Sequence, residues 1–91
     1  MKKTVDIVVS GLVQGVGFRY YTTKLANQLL IQGFVENVPD GTVHIVASGE
    51  AIALNNFIQQ IAASPSPYSK VTNIKTHYTT LVVDNGFYVK Y

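Results

Sequence analysis

Residues 11–19 read Gly11-Leu12-Val13-Gln14-Gly15-Val16-Gly17-Phe18-Arg19 and connect a strand-like run to a helical pattern. Three glycines within seven positions let the backbone bend where a Cβ atom would clash, so consecutive N–H groups can point inward. The helix that follows presents unpaired N–H groups and a partial positive charge at its start. Arg19 opposes that dipole, and a bound anion resolves the conflict. The segment therefore predicts an oxyanion cradle, best suited to a phosphoryl group.

The hydrophobic pattern along the chain predicts strands and helices in the order βαββαβ, followed by a short extra C-terminal strand. Pro39-Asp40-Gly41 is a turn signal that makes a hairpin of the second and third strands. The fourth strand is expected to place Ile74 and Tyr78 inside. The predicted strands cover residues 4–10, 33–38, 42–47, 71–80 and 87–91, and the predicted helices cover 18–31 and the run from Gly49 to before Ser64.

Each predicted helix is apolar along one stripe only. Both helices should therefore cover one face of a single, mostly antiparallel sheet. The expected fold is α+β, a ferredoxin-like α/β sandwich, built as one domain over residues 1–91.

Composition limits the possible functions. With 47% hydrophobic and 13% charged residues, the chain is typical of a globular protein. The net charge of +2 comes from scattered lysines, which argues against a nucleic-acid partner. The absence of cysteine excludes disulfides and thiolate catalysis and fits a reducing compartment. No apolar run approaches the roughly 20 residues that span a bilayer. We expect a soluble cytoplasmic monomer without a membrane partner.

A metal site is not predicted. His44 and His77 lack the spacing of metal ligands, and sheet-face histidines are the expected outcome. The glycine segment is neither a dinucleotide fingerprint, since Tyr20 stands where the third glycine belongs, nor a Walker loop.

Residues 11–19 resemble the signature of the acylphosphatase family, in which the pattern G-x-V-Q-G-V-x-F-R forms the phosphate loop. Gly33-Phe34-Val35-Glu36-Asn37 followed by Asp40-Gly41 is similar to the second family signature, G-x-V-x-N-x-x-D-G, and Phe87-Tyr88-Val89-Lys90-Tyr91 is similar to the closing strand. The resemblance covers essentially the whole chain. It implies hydrolysis of acyl phosphates to a carboxylate and inorganic phosphate, with no metal and no organic cofactor.

By position, the resemblance implies that Arg19 binds the phosphoryl oxygens and that Asn37 positions the attacking water. A carboxylate leaving group departs without protonation, so charge stabilisation and alignment of the nucleophile suffice. A guanidinium fork and backbone N–H groups supply the first, and a side-chain amide can supply the second. The terminal carboxylate of Tyr91 is a further candidate for orienting Arg19. The expected substrate-binding residues are Gln14, Gly15, Val16, Gly17, Phe18 and Arg19.

Three positions depart from the family pattern. Leu30 stands where glycine is common, Phe34 where tryptophan is common, and Glu36 where a basic residue is common. Leu30 and Phe34 mainly bear on local packing. Glu36 is adjacent to Asn37, but strand alternation sends it to the other face of the sheet, where it could weaken attraction of an anionic substrate.

Two other functions remain open from the sequence. One is a catalytically silent ferredoxin-like domain that binds phosphate or acyl phosphate without turnover. The other is an RNA-binding module, because Gly17-Phe18-Arg19-Tyr20-Tyr21 superficially resembles an aromatic RNA-stacking motif. That motif belongs on a central strand, whereas here it straddles a loop and a helix start. The sequence does not identify the physiological acyl phosphate.

Overall fold

A five-stranded sheet carries two helices on one face in the computed structural model, which describes residues 1–81 and 83–91. The strand order is β4-β1-β3-β2-β5, and every neighbouring pair is antiparallel except β2 and β5. This architecture confirms the predicted ferredoxin-like α/β sandwich. The elements in chain order are β1 (Lys2–Leu12), α1 (Phe18–Gln28), β2 (Gln32–Asn37), β3 (Val43–Glu50), α2 (Ala51–Ala62), β4 (Lys70–Thr79) and β5 (Phe87–Val89).

The core lies between the helices and alternate residues of the central strands. Ile7 of β1 is paired with Ile45 of β3, and both are fully buried against residues such as Phe57 of α2. Burying side chains of this size contributes about 1.5–3 kcal/mol each. The same core includes Val13 and Phe18, which lie on either side of Gly15 and Gly17 in the glycine segment. The packing that stabilises the fold therefore also holds that segment.

Helix α1 ends at Gln28, so the prediction that it continues to residue 31 is wrong. Leu30 adopts a left-handed backbone with φ of 57°, which a helix cannot continue through. The N–H of Leu30 bonds to the carbonyl of Asn27 and that of Ile31 to the carbonyl of Ala26, which is the Schellman pattern of a helix end. From the sequence, the departure at Leu30 was expected to bear on local packing. In the structure it bears on the backbone conformation.

Replacing Leu30 by glycine is expected to stabilise the protein. The left-handed conformation costs a non-glycine residue about 1–2 kcal/mol, partly offset by the greater entropy loss of glycine, so Leu30→Gly should raise the free energy of unfolding by roughly 0.5–1 kcal/mol. Leu30 is 83% exposed, so little packing is lost. Urea unfolding measures the change. The control Gln28→Gly, within the helix, should lose stability, and an equal loss in Leu30→Gly would contradict the assignment.

Two predictions about the last strands also need correction. Tyr78 lies on the helix-bearing face but is 54% exposed, because β4 is the sheet edge. The Nζ of Lys3 lies 5.5 Å from the centroid of the Tyr78 ring. Ile74 is half-buried, as an inward residue of an edge strand. Strand β5 stops at Val89, two residues before the predicted end.

The helix-free face of the sheet carries a cluster of three titratable side chains. His44 Nδ1 lies 2.9 Å from Glu36 Oε2, and His44 Nε2 lies 2.8 Å from Asp6 Oδ1. Burial of the ring opposes its charged form, yet the hydrogen bonds and charges of both carboxylates outweigh burial and raise the pKa of His44 above its ordinary value of 6.5. The expectation that His44 is a sheet-face histidine is confirmed, and Glu36 faces away from Asn37 as predicted.

The His44 cluster should make stability depend on pH. Because the pKa of His44 is higher in the folded chain than in the unfolded one, its contribution is fully present below the ordinary pKa and is lost as pH rises through the raised value. Urea unfolding of wild type and His44→Gln across this range should show the difference between them shrinking as pH rises. A constant difference between wild type and His44→Gln would contradict this account.

Candidate active site

The glycine segment between β1 and α1 is a loop whose ends are buried and whose middle is open. Val13 and Phe18 are each 1% exposed, whereas Gly15 and Gly17 are exposed. Both glycines have positive φ, 73° and 79°, which lets the chain coil tightly before the helix. Within residues 1–81 and 83–91, no backbone N–H group of residues 15–19 donates to another backbone carbonyl. The loop therefore presents a set of donors suited to an anion.

The start of α1 lacks the features that normally satisfy a helix N-terminus. Gly17 is the N-cap residue, so no side chain caps the helix, and the first turn contains no acidic residue. Arg19 lies in that first turn and is half-buried. A helix start with free N–H groups and a cation favours binding of an anion from outside the chain.

Gln14 ties the loop to the hairpin of β2 and β3. Its Nε2 donates to the carbonyl oxygens of Val38 and Thr42, each at 2.8 Å. The hairpin turn is itself closed by Asp40, whose Oδ1 accepts hydrogen bonds from the N–H and the hydroxyl of Thr42, confirming Asp40 as a turn former. The side chain of Gln14 thus has a bracing role that the sequence did not reveal. Its backbone N–H stays in the predicted substrate-binding set.

Removing the side chain of Gln14 should loosen this tie and lower stability. Two half-buried carbonyls would lose a donor, so Gln14→Ala is expected to reduce the free energy of unfolding by about 1–3 kcal/mol. Gln60→Ala is the matched control, because the Gln60 amide donates to exposed Asn56 one turn earlier on α2. Urea unfolding should show a loss below about 0.5 kcal/mol for the control. Equal losses in both variants would show that the Gln14 contacts do not brace the loop.

Asn37 is the last residue of β2, next to the carbonyl that Gln14 holds. It pairs with Val43 and shares the helix-bearing side of the sheet with Val35. Its Oδ1 atom is buried and has no hydrogen-bond partner within the described part of the chain. A buried amide oxygen without a donor is unfavourable, and a water molecule is a donor of suitable size.

A cavity of about 600 Å³ opens beside the loop. Gly15, Gly17 and Arg19 line one part of it, and Lys24 and Tyr91 line another. Phe18 also contributes to the lining, whereas Gln14, Val16 and Asn37 do not. The structure thus brings four of the predicted residues to one cavity, whereas Asn37 lies outside its lining, next to the Val38 carbonyl that Gln14 holds.

Tyr91 contacts Arg19 through its ring. The ring centroid lies 5.4 Å from Arg19 Cζ, within the range of a cation–π contact. Among the residues described, no ion pair joins Arg19 to the terminal carboxylate, so the contact differs from the expected one. Tyr91 is fully exposed, so this contact lies at the surface of the molecule.

In the part of the chain that the structure describes, no three His, Cys, Asp or Glu residues are grouped as metal ligands. Over the same residues, no helix has the length and apolar character needed to cross a bilayer.

Sequence comparison gives consistent matches. A family model described as Acylphosphatase matches residues 5–89. A protein named Acylphosphatase from Ligilactobacillus salivarius is 44% identical over 89 residues, covering 98% of this chain and 99% of that protein. A protein of the same name from Thermotoga maritima is 43% identical over 89 residues, covering 98% of each.

Solved structures agree with the sequence matches. The crystal structure of acylphosphatase from Bacillus subtilis superimposes with a TM-score of 0.90 at 36% identity and covers 100% of both chains. The structure of an acylphosphatase from Coxiella burnetii gives a TM-score of 0.92 at 29% identity, covering 98% of this chain and 93% of that one. These matches include the glycine loop, the hairpin and the last strand.

Proposed function

Because the chain belongs to the acylphosphatase family, we propose that Arg19 and the loop N–H groups bind the phosphoryl group and that Asn37 orients the attacking water. The enzyme hydrolyses acyl phosphates to a carboxylate and inorganic phosphate. The observation that carries the residue assignment is the set of free backbone donors at residues 15–19, beside the guanidinium of Arg19. The comparisons give no support to a catalytically silent binding domain.

The reaction needs charge stabilisation more than proton transfer. Water attacks phosphorus, the new P–O bond forms as the bond to the acyl oxygen breaks, and the carboxylate leaves with the bonding electrons. Negative charge on the equatorial phosphoryl oxygens is the main demand of this step. The planar guanidinium of Arg19 can donate several hydrogen bonds to these oxygens. The loop adds N–H groups that are oriented before the substrate arrives.

The role of Asn37 is orientation. Its amide is not a base at neutral pH, so the attacking water gives its proton to the phosphate product or to solvent rather than to Asn37. The buried, unpartnered Oδ1 can accept a hydrogen bond from that water and direct its lone pair toward phosphorus. Gln14 supports this role because it holds the strand end that carries Asn37 against the loop.

The remaining features of the proposal concern the enzyme as a whole. Residues 1–91 act as one domain, monomeric and cytoplasmic, with small acyl phosphates as ligands and no nucleic-acid or membrane partner. The scattered lysines and the cysteine-free composition support this assignment. Catalysis is proposed to be metal-independent, because the guanidinium and N–H groups supply the positive charge that a metal would otherwise provide.

Hydrolysis of benzoyl phosphate in the presence of a chelator tests the assignment of Arg19. Arg19→Ala should lower kcat/KM by at least about 10²–10³-fold, since it removes a preorganised charge contact that also binds substrate. Arg19→Lys keeps the charge but loses the fork and should remain strongly impaired. An unactivated phosphate monoester should not be turned over. Wild-type activity that disappears with the chelator would contradict the metal-independent mechanism.

Asn37→Ala tests the water-orienting role in the same assay. The change should fall mainly on kcat, by about 10²–10³-fold, because the side chain acts on the nucleophile and not on substrate binding. Asn73→Ala, at an exposed position of β4, is the matched control and should keep wild-type kinetics. A loss confined to KM would assign Asn37 to substrate binding instead.

A further inference from the structure

Ser66 connects the loop after α2 to the phosphate loop. It is 2% exposed, and its Oγ donates to the carbonyl oxygen of Val16 at 2.5 Å, across 50 positions of sequence. The same Oγ accepts a hydrogen bond from the N–H of Tyr68. The Ser66 carbonyl accepts hydrogen bonds from both the N–H of Ser69, at 3.2 Å, and the Ser69 Oγ, at 2.8 Å, so the turn keeps a backbone hydrogen bond when the Ser69 hydroxyl is removed. A buried hydroxyl that makes two hydrogen bonds therefore contacts the middle of the candidate anion cradle.

The contact determines the direction of one cradle donor. Val16 O and the N–H of Gly17 belong to the same peptide unit, and in a trans peptide they point to opposite sides. Holding Val16 O on Ser66 therefore turns the Gly17 N–H away from Ser66. Gly17 lines the cavity beside Arg19, so this is a donor that an anion in the cavity can use.

The Val16–Gly17 peptide needs such a restraint because Gly17, which has no Cβ atom, offers little steric resistance to rotation of the peptide. Gly17 has φ of 79°, in a region where glycine moves between conformations at low steric cost. A reversed peptide would point the Val16 carbonyl, with its negative end, at the phosphoryl oxygens. Electrostatic preorganisation would then be lost at one position of the cradle.

We propose that Ser66 is a positioning residue that keeps the Val16–Gly17 peptide in its anion-binding orientation. The proposal rests on the proposed function of the loop as the phosphoryl site. Ser66 touches neither substrate nor water; it acts through the Val16 carbonyl. Its loss permits the peptide to rotate without forcing it, so the effect should be smaller than removal of a donor.

Titration of ¹⁵N-labelled protein with inorganic phosphate, followed at the Gly17 amide, tests the proposal. In wild type, phosphate should shift the Gly17 amide resonance because the Gly17 N–H donates a hydrogen bond to a phosphate oxygen. Ser66→Ala should weaken phosphate binding by about 10-fold, reduce the Gly17 shift at saturation, and lower kcat/KM for benzoyl phosphate by about 10–100-fold. Ser69→Ala, which removes a hydroxyl from the same segment, should keep all three within about two-fold of wild type.

Other outcomes would overturn the proposal. Unchanged phosphate affinity and Gly17 shift in Ser66→Ala, or equal losses in Ser69→Ala, would reduce Ser66 to a structural residue. If Ser66→Ala fails to fold, Ser66→Cys retains the volume with a weaker donor and should still weaken phosphate binding. Phosphate binding by wild type without a Gly17 shift would also refute the proposal.

Other results would contradict the proposed function itself. These are no phosphate binding by wild type, or binding by Arg19→Ala that is as tight as that of wild type. If Arg19→Ala loses phosphate binding while Ser66→Ala keeps it, only the role of Ser66 is refuted.

Discussion

The constraint on which this structure depends is that a cradle of backbone donors must be held open. The N–H groups of an exposed loop can bond to water, but a loop free to move could also turn them onto its own carbonyls and so close the cradle. Here the loop cannot do so, because Val13 and Phe18 anchor both of its ends in the core. Gln14 adds a third attachment, to the hairpin of β2 and β3. Fold stability and anion binding therefore draw on the same residues.

The charges of the molecule are distributed in keeping with this arrangement. Arg19 lies at the loop, whereas Glu36, within β2, points to the opposite face of the sheet. There Glu36 and Asp6 flank His44 and raise its pKa. The sheet separates this acidic departure from the family pattern from the cavity, which reduces its influence on an anionic substrate.

Local patterns in the sequence were sufficient for the fold and for the composition of the cradle. Alternation of apolar residues gave the strand faces, and the glycines before Arg19 indicated the loop. Contacts between distant residues were not accessible in this way, which is why the partners of the Gln14 amide and the Tyr91 ring emerged only from the structure. Tyr78 was misjudged because its alternation is that of a buried strand, whereas β4 is an edge. The end of α1 was missed because leucine is a strong helix former. The glycine that is common at this position in the family was the available sign of a left-handed residue there.

The central claim is that water attacks the phosphorus atom of a phosphoryl group held in the cradle. The most direct test is hydrolysis of benzoyl phosphate by the enzyme in ¹⁸O-labelled water with a chelator present, followed by mass analysis of both products after subtraction of the uncatalysed reaction. The account predicts that the label enters inorganic phosphate and is absent from benzoate. Label in benzoate would show attack on the acyl carbon, and the assignment of Arg19 and the loop to the phosphoryl group would then be contradicted.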